Sequence, residues 1–336
     1  MGPDVVIEGI SGNSMSLAAM PGGGFVVAGY SWAVATNANG EVQWRYADLD
    51  PDETPKNYDR AEFHGVVPLG NGNILLCGVE QTPNGSAALL TILNSAGQLV
   101  EKRLLQPPGP DKYSAVRFTG CHRWEDGAAV IGSMVKDIRF DWLMKLDGNG
   151  IKQWDLFDYQ LLGIDAVETV NHNLVIASLG TVTNVIQVNP QGHIVSTKEF
   201  PGLANNMVRS AVPTSILKVL TNINRENTTV VTLNDKFEQI APPRPTKFPI
   251  PAQGCAWLLW DGSVAVFSHV YAEPGTDRSS VARIAGERPD EMRVFALPDP
   301  QSNSHWVYDA VPISERTFVA VRGLNNSVAL SWVTFK

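Results

Sequence analysis

The stretch Gly22-Gly23-Gly24-Phe25-Val26-Val27-Ala28-Gly29-Tyr30 decides the fold, because the chain returns to its pattern six more times. Each return is a short apolar run launched from a turn. The runs are 73–79 (NILLCGV), 128–134 (AAVIGSM), 173–179 (NLVIASL), 216–222 (ILKVLTN), 263–269 (SVAVFSH) and 317–323 (TFVAVRG). Counted from Phe25, their starts step by 48, 55, 45, 43, 47 and 54 residues. A period of this size marks stacked supersecondary units, none of which can bury its apolar face alone.

The first unit shows the internal plan. A strand at 15–20 (A) precedes the glycine turn, where positive φ is needed. Strand B is 25–30, strand C 32–36 and strand D 42–46. Asn39-Gly40 joins C to D as a favoured two-residue hairpin signal. Strand D alternates Val42, Trp44 and Tyr46 against Glu41, Gln43 and Arg45, the period of a half-buried strand. The C–D signal recurs at Ala96-Gly97, Asn149-Gly150, Gln191-Gly192 and Asn234-Asp235, and more loosely at 286–290. No long segment sustains a 3.6-residue period, so almost no helix is expected.

The seventh unit supplies A (306–311), B (317–321) and C (327–335), and then the chain stops. The orphan run 5–10 (VVIEGI) is the expected fourth strand. Closure of that kind covers the sheet edges of a repeat array. The expected fold is therefore all-β: a seven-bladed β-propeller of four-stranded antiparallel blades, closed by 5–10. One domain, 1–336, is expected. Its blades lie near 14–48, 62–106, 115–160, 163–201, 207–241, 254–298, and 306–336 with 5–10.

Two segments carry a family likeness. One is the opening stretch with Asn39-Gly40-Glu41-Val42-Gln43-Trp44. The other is 141–154, DWLMKLDGNGIKQW. They resemble the repeat of bacterial propellers in the PQQ-like, quinoprotein-alcohol-dehydrogenase-like superfamily. The likeness is clear in units one and three, partial in two, and fades beyond. It implies a bacterial, often exported, binding or scaffolding propeller, with Trp44 and Trp154 packing between blades. It does not imply quinone binding, because the adjacent-cysteine pair of the dehydrogenases is absent.

Composition narrows the partners. Net charge is −8, without a Lys/Arg run, which argues against nucleic acid and anionic membrane surfaces. No run approaches the roughly 18–20 apolar residues of a membrane span. The first ten residues do not read as a signal peptide, and the compartment stays open. Cys77, Cys121 and Cys255 are read as buried free thiols. The six histidines form no metal-ligand spacing. The acidic run 48–52 lacks the glycine a calcium loop requires, since Glu53 stands there. No cofactor and no metal are expected, and the chain is expected to be monomeric on its own.

Strand order assigns the loops. A–B and C–D connections share one face and are short; D–A and B–C connections share the other and include every long one. Long loops on a rigid scaffold concentrate function. The expected partner-binding residues on that face are Trp32, Tyr58, Arg60, Tyr113, Arg139, Tyr271, Arg278, His305 and Trp306, with Phe63 beside them. These are the residue types enriched at interface hot spots. A protein partner is expected, and a glycan stays open because rings also stack on sugars. If the chain is instead a hydrolase or lyase, its groups should converge from the inner A strands. The candidates are His64, Arg117, Asp165, Arg209 and Tyr308, with Asp309 adjacent. The proline-rich 241–251 reads as an extended linker between blades.

Overall fold

The computed structural model describes residues 4–10, 15–48, 61–82, 85–106, 115–135, 139–158, 163–178, 183–200, 203–224, 227–246, 254–273, 276–285, 291–294, 307–324 and 327–336. Among them every regular element is a β-strand. The chain forms two compact units, Gly12–Gly163, and Met1–Ser11 with Ile164–Lys336.

β1 (Asp4–Ile7) precedes the first unit, which holds three four-stranded antiparallel blades. Blade one is β2 (Met15–Ala19), β3 (Phe25–Gly29), β4 (Trp32–Thr36) and β5 (Val42–Ala47). Blade two is β6 (Ala61–Pro68), β7 (Ile74–Thr82), β8 (Gly85–Leu93) and β9 (Leu99–Leu105). Blade three is β10 (Ala115–Trp124), β11 (Gly127–Val135), β12 (Arg139–Leu146) and β13 (Lys152–Asp158).

The second unit holds four more. Blade four is β14 (Gly163–Glu168), β15 (Leu174–Ser178), β16 (Thr183–Val188) and β17 (Ile194–Phe200). Blade five is β18 (Leu203–Arg209), β19 (Ile216–Asn224), β20 (Asn227–Asn234) and β21 (Arg244–Thr246). Blade six is β22 (Gly254–Leu258), β23 (Val264–Glu273), β24 (Thr276–Ile284) and β25 (Glu291–Val294). Blade seven is β26 (Val307–Pro312), β27 (Thr317–Leu324) and β28 (Ser327–Thr334), completed by β1.

β1 runs antiparallel to β28, with Asp4 opposite Ser331 and Ile7 opposite Val328. The expected closing strand is present, but it spans 4–7 rather than 5–10. A buried polar lock holds it. Arg322 is fully buried; its Nε donates to Ser331 Oγ at 2.9 Å, and its other end pairs with Asp4. Ser331 Oγ donates to the same Asp4 carboxylate at 2.6 Å.

Three sequence expectations change. The 241–251 segment is not only a linker, because its Arg244–Thr246 portion is strand D of blade five, paired with Thr228–Val230. A D strand is an edge, so Pro245 costs no ladder bond on its outer side. Blades five and six are also not separate sheets. Their inner strands pair in parallel, Val208 with Ala256 and Arg209 with Trp257.

The C–D turns are not two-residue hairpins either. Gly40 N–H donates to Asn37 O, and Asn37 N–H to Glu41 O, followed by a register shift at Ala35/Thr36. This is the longer loop with a positive-φ residue and a bulge. Asn37 Oδ1 accepts from the N–H groups of Asn39 and Glu41 at 3.0 Å. Asn94, Asp147, Asn189 and Asn234 repeat the arrangement. Gly40, Gly97, Gly150 and Gly192 take the positive φ, and Phe237 takes it (61°) in blade five.

These turns also join neighbouring blades. Trp44 Nε1 donates to Ser95 O at 3.0 Å, with its ring pressed against Gly97. Arg103 donates to Gly150 O at 2.9 Å, Lys198 to Phe237 O at 2.6 Å, and Arg244 to Ala285 O. Each donor leaves a D strand and caps the C–D turn of the next blade, or the end of its strand C. Trp154 instead lies edge-on to Trp124 of its own blade, centroids 5.6 Å apart.

His172 in the A–B turn of blade four also holds positive φ (59°) and is exposed. Left-handed backbone costs an L-residue about 1–2 kcal/mol. His172→Gly should therefore raise stability by about 0.5–1 kcal/mol, less whatever the Glu168 contact at 2.6 Å contributes. Phe237→Gly relieves the same conformation but empties a core site in which Phe237 is 2% exposed. It should lower stability by about 2–4 kcal/mol. Urea denaturation of both variants checks the opposite signs.

Candidate functional site

The inner A strands of the second unit converge on one cluster. Asp165 (β14), Cys255 (β22) and Asp309 (β26) each lie four residues before the residue that opens the following turn: Thr169, Leu259 and Ile313. They therefore stand at equivalent levels in blades four, six and seven. Arg209 reaches them from β18. Its Nε lies 3.0 and 2.9 Å from the two Asp165 oxygens, and Nη1 donates to Asp309 Oδ1 at 2.7 Å.

Each aspartate is also held by the next residue's N–H. Ala166 donates to Asp165 and Ala310 to Asp309, both at 2.9 Å. Both carboxylates are buried, at 1% and 7% side-chain exposure. Burial opposes the Arg209 charge, but Asp165 and Asp309 outweigh it and hold the guanidinium above its ordinary range. The guanidinium lies 6.0 Å from the Trp257 ring. Trp257 Nε1 donates to Ala310 O at 2.8 Å, and Cys255 Sγ lies 3.8 Å from the same carbonyl. Burial, reinforced by Asp309, pushes the Cys255 thiol well up.

The chemistry of this cluster is that of a tie. One cation is shared by two carboxylates that are already hydrogen-bonded, and the adjacent thiol stays protonated. It fastens blades four, five and seven through side chains distant in sequence. Of the five enzyme candidates, Asp165 and Arg209 meet. His64 and Arg117 lie in the other unit. His64 Nδ1 sits 2.8 Å from Phe118 O and Nε2 sits 3.6 Å from Glu62, while Arg117 is exposed on β10. His64 and Tyr308 are the extra residues of bulges in β6 and β26, a device that re-aims a side chain.

The partner-binding set is only partly visible. Tyr58, Arg60, Tyr113, His305 and Trp306 lie outside the described residues. Trp32 is half-buried at the start of β4, and Arg139 begins β12. Tyr271 and Arg278 lie on β23 and β24, opposite Asp277 and Val270 respectively. Phe63 is not a surface anchor. It is fully buried between blades one and two, its ring 6.4 Å from Tyr46.

Near Trp32 a polar network joins the same two blades. Tyr46 donates to Asp48 at 2.7 Å, and Lys102 pairs with Asp48 at 2.8 Å and Glu80 at 2.6 Å. Burial, then Asp48, pushes the Tyr46 phenol up. Sequence reading missed this network, whose members come from three different strands and the end of one of them.

No family model matches the chain, and no curated protein matches it in sequence. Solved structures do match. BamB from Moraxella catarrhalis aligns with a TM-score of 0.54 and 12% identity, over 100% of this chain and 98% of that one. BBS1N in complex with ARL6DN aligns with a TM-score of 0.63 and 10% identity, over 100% and 96%. YCF48 bound to D1 peptide gives 0.57 and 10%, over 100% and 98%. The fold is a β-propeller. At these identities the likeness speaks for architecture alone, and the propeller's working surface has to be argued from its own residues.

Proposed function

We propose that this chain is a non-catalytic propeller that binds a protein partner at the sheet ends carrying its B–C and D–A connections. One observation carries the reading. In blade six, among the described residues, β22 pairs with β23 as far as Ser268, and β25 pairs with β24 from Ser280. The β23–β24 ladder continues without them to Glu273 opposite Thr276. Residues 269–273 and 276–279 thus form a two-stranded ribbon about 16 Å long, at ~3.3 Å per residue. Both of its outer edges lack a described partner strand. Such a ribbon offers main-chain groups to a partner, and its sequence includes Tyr271 and Arg278.

The opposite ends of the blades carry the shorter A–B and C–D turns, which form no comparable ribbon among the described residues. Two structures of this fold, solved with ARL6DN and with a D1 peptide, support a partner-binding role. The PQQ-like resemblance supports a bacterial setting, with an adaptor or a secretion-system immunity protein as the finer reading. The tie among Asp165, Arg209 and Asp309 weighs against the hydrolase or lyase alternative, since its charges are spent on one another.

The test is a pull-down from native lysate. The combined Trp32→Ala, Tyr271→Ala and Trp306→Ala variant should lose the partner while its thermal melt stays cooperative. A control pair at A–B turns, Val170→Ser with Val212→Ser, both exposed, should keep it. Undiminished capture by the triple variant would overturn the proposal.

A further inference from the structure

The chain carries a net charge of −8 and has no basic run, yet the second unit gathers four cations about the A–B turn of blade six and the adjoining end of its strand C. Trp260 sits in the A–B turn of blade six and is 37% exposed. The Arg316 guanidinium, from the A–B turn of blade seven, lies 4.5 Å from the Trp260 ring centroid. The Arg283 guanidinium, from β24, lies 5.6 Å from it. Lys218 (β19) donates to the carbonyl of Gly262, two residues beyond Trp260. Arg244 (β21) donates to Ala285 O, two residues beyond Arg283, and its buried Nε has no hydrogen-bond partner among the described residues.

Two of these cations, Lys218 and Arg244, sense one another. Burial and then the Arg244 charge push the Lys218 ammonium down. Two described carboxylates accompany them. Asp261 is held by Arg283 and by Ser263; although burial opposes its charge, these contacts hold its carboxyl at about 2. Glu315 is exposed beside Arg316 in the chain. Arg316 makes no ion pair among the described residues, so its planar fork of N–H donors is stacked, oriented and uncommitted. Ile313, in the same turn as Arg316, is 46% exposed.

An oriented Arg on an exposed Trp, with an apolar neighbour and surplus positive charge, has the composition of a binding hot spot. We infer that the Trp260–Arg316 platform docks a short acidic segment of a protein partner. An apolar side chain of that segment lies against Trp260 and Ile313, and its carboxylates pair with Arg316 in the field of Lys218, Arg244 and Arg283. Polyphosphate is the poorer fit. The excess charge is local, with Asp261 and Glu315 inside it, while the whole chain repels a polyanion at longer range. Screening within about 8 Å at physiological salt keeps the patch's attraction short-ranged. This surface belongs to A–B turns and does not rest on the partner proposed above.

The probe is a fluorescein-labelled peptide of sequence DELLED, compared by anisotropy with its amide counterpart NQLLQN and with a twelve-nucleotide thymidylate strand. DELLED should bind at least tenfold tighter than NQLLQN at 50 mM NaCl and weaken on raising the salt to 300 mM. Arg316→Gln and Arg316→Glu should each cut its affinity about tenfold or more, with thermal melts unchanged at this exposed site. Trp260→Ser should do the same, while the Trp32/Tyr271/Trp306 triple variant binds as wild type. Equal binding of both peptides, binding of neither, indifference to both Arg316 variants, or tighter binding of the thymidylate strand would each overturn the inference.

Discussion

Arg209→Met should lower the unfolding free energy by about 3–5 kcal/mol, the usual cost of removing one partner from a buried ionic group. The loss has a definite source. Asp165 and Asp309 are buried, and each is pinned by the N–H of the following residue. Neither can turn outward to water once the guanidinium is gone. Two carboxylates that now share one cation would face each other without it. Adding Asp165→Asn and Asp309→Asn to Arg209→Met should restore most of the loss, because an amide keeps the N–H contact and needs no counterion. Urea denaturation of the wild type, the single variant and the triple variant makes the comparison. A loss below about 1 kcal/mol in Arg209→Met would mean that the cluster does not tie the blades.

The second large effect is expected at the closing strand. Asp4→Ala removes the carboxylate that pairs with Arg322, which is 0% exposed and also donates to Ser331 Oγ. Burial already pushes the Arg322 guanidinium down, with Asp4 only partly offsetting it. Asp4 itself is about one-third exposed, at 36%, so part of its charge is screened. The expected cost is about 2–4 kcal/mol. It should fall locally, because β1 is four residues long and pairs with β28 alone among the described strands. Hydrogen exchange at Val5 and Ile7 should accelerate before exchange in β26 and β27 does. An Asp4→Ala, Arg322→Met double variant should be closer to wild type than Asp4→Ala, since the buried charge that Asp4 offsets leaves with it. Unchanged exchange in the single variant would show that the ladder alone holds the strand.

The site was less legible than the fold. Asp165 and Arg209 could be named as inner-strand polar residues, and they do meet. Nothing in their local sequence distinguishes them from Arg117, which ends exposed on β10. His64 and Tyr308 sit at bulges that only the pairing register reveals. Phe63 looked like a loop-face anchor because it adjoins a long connection, yet strand alternation turns it into the core. The Trp260 platform was invisible for a further reason. Its cations stand at 218, 244, 283 and 316, so a search for basic runs finds nothing.

What the chain determines by itself is whatever depends on near neighbours. The Asn or Asp that opens a C–D turn specifies it through bonds spanning four residues, with a positive-φ residue, glycine in four of five blades, three residues on. The alternating apolar runs between turns then make each unit a sheet, and the missing seventh D strand points to the N-terminus. The tertiary structure decided which distant side chains share a charge. Arg209 meets residues 44 and 100 positions away, and Arg322 meets one 318 positions away. Turn geometry is a short-range property of a few backbone dihedrals. Electrostatic partnership depends on position in space, which exists only once the blades have stacked.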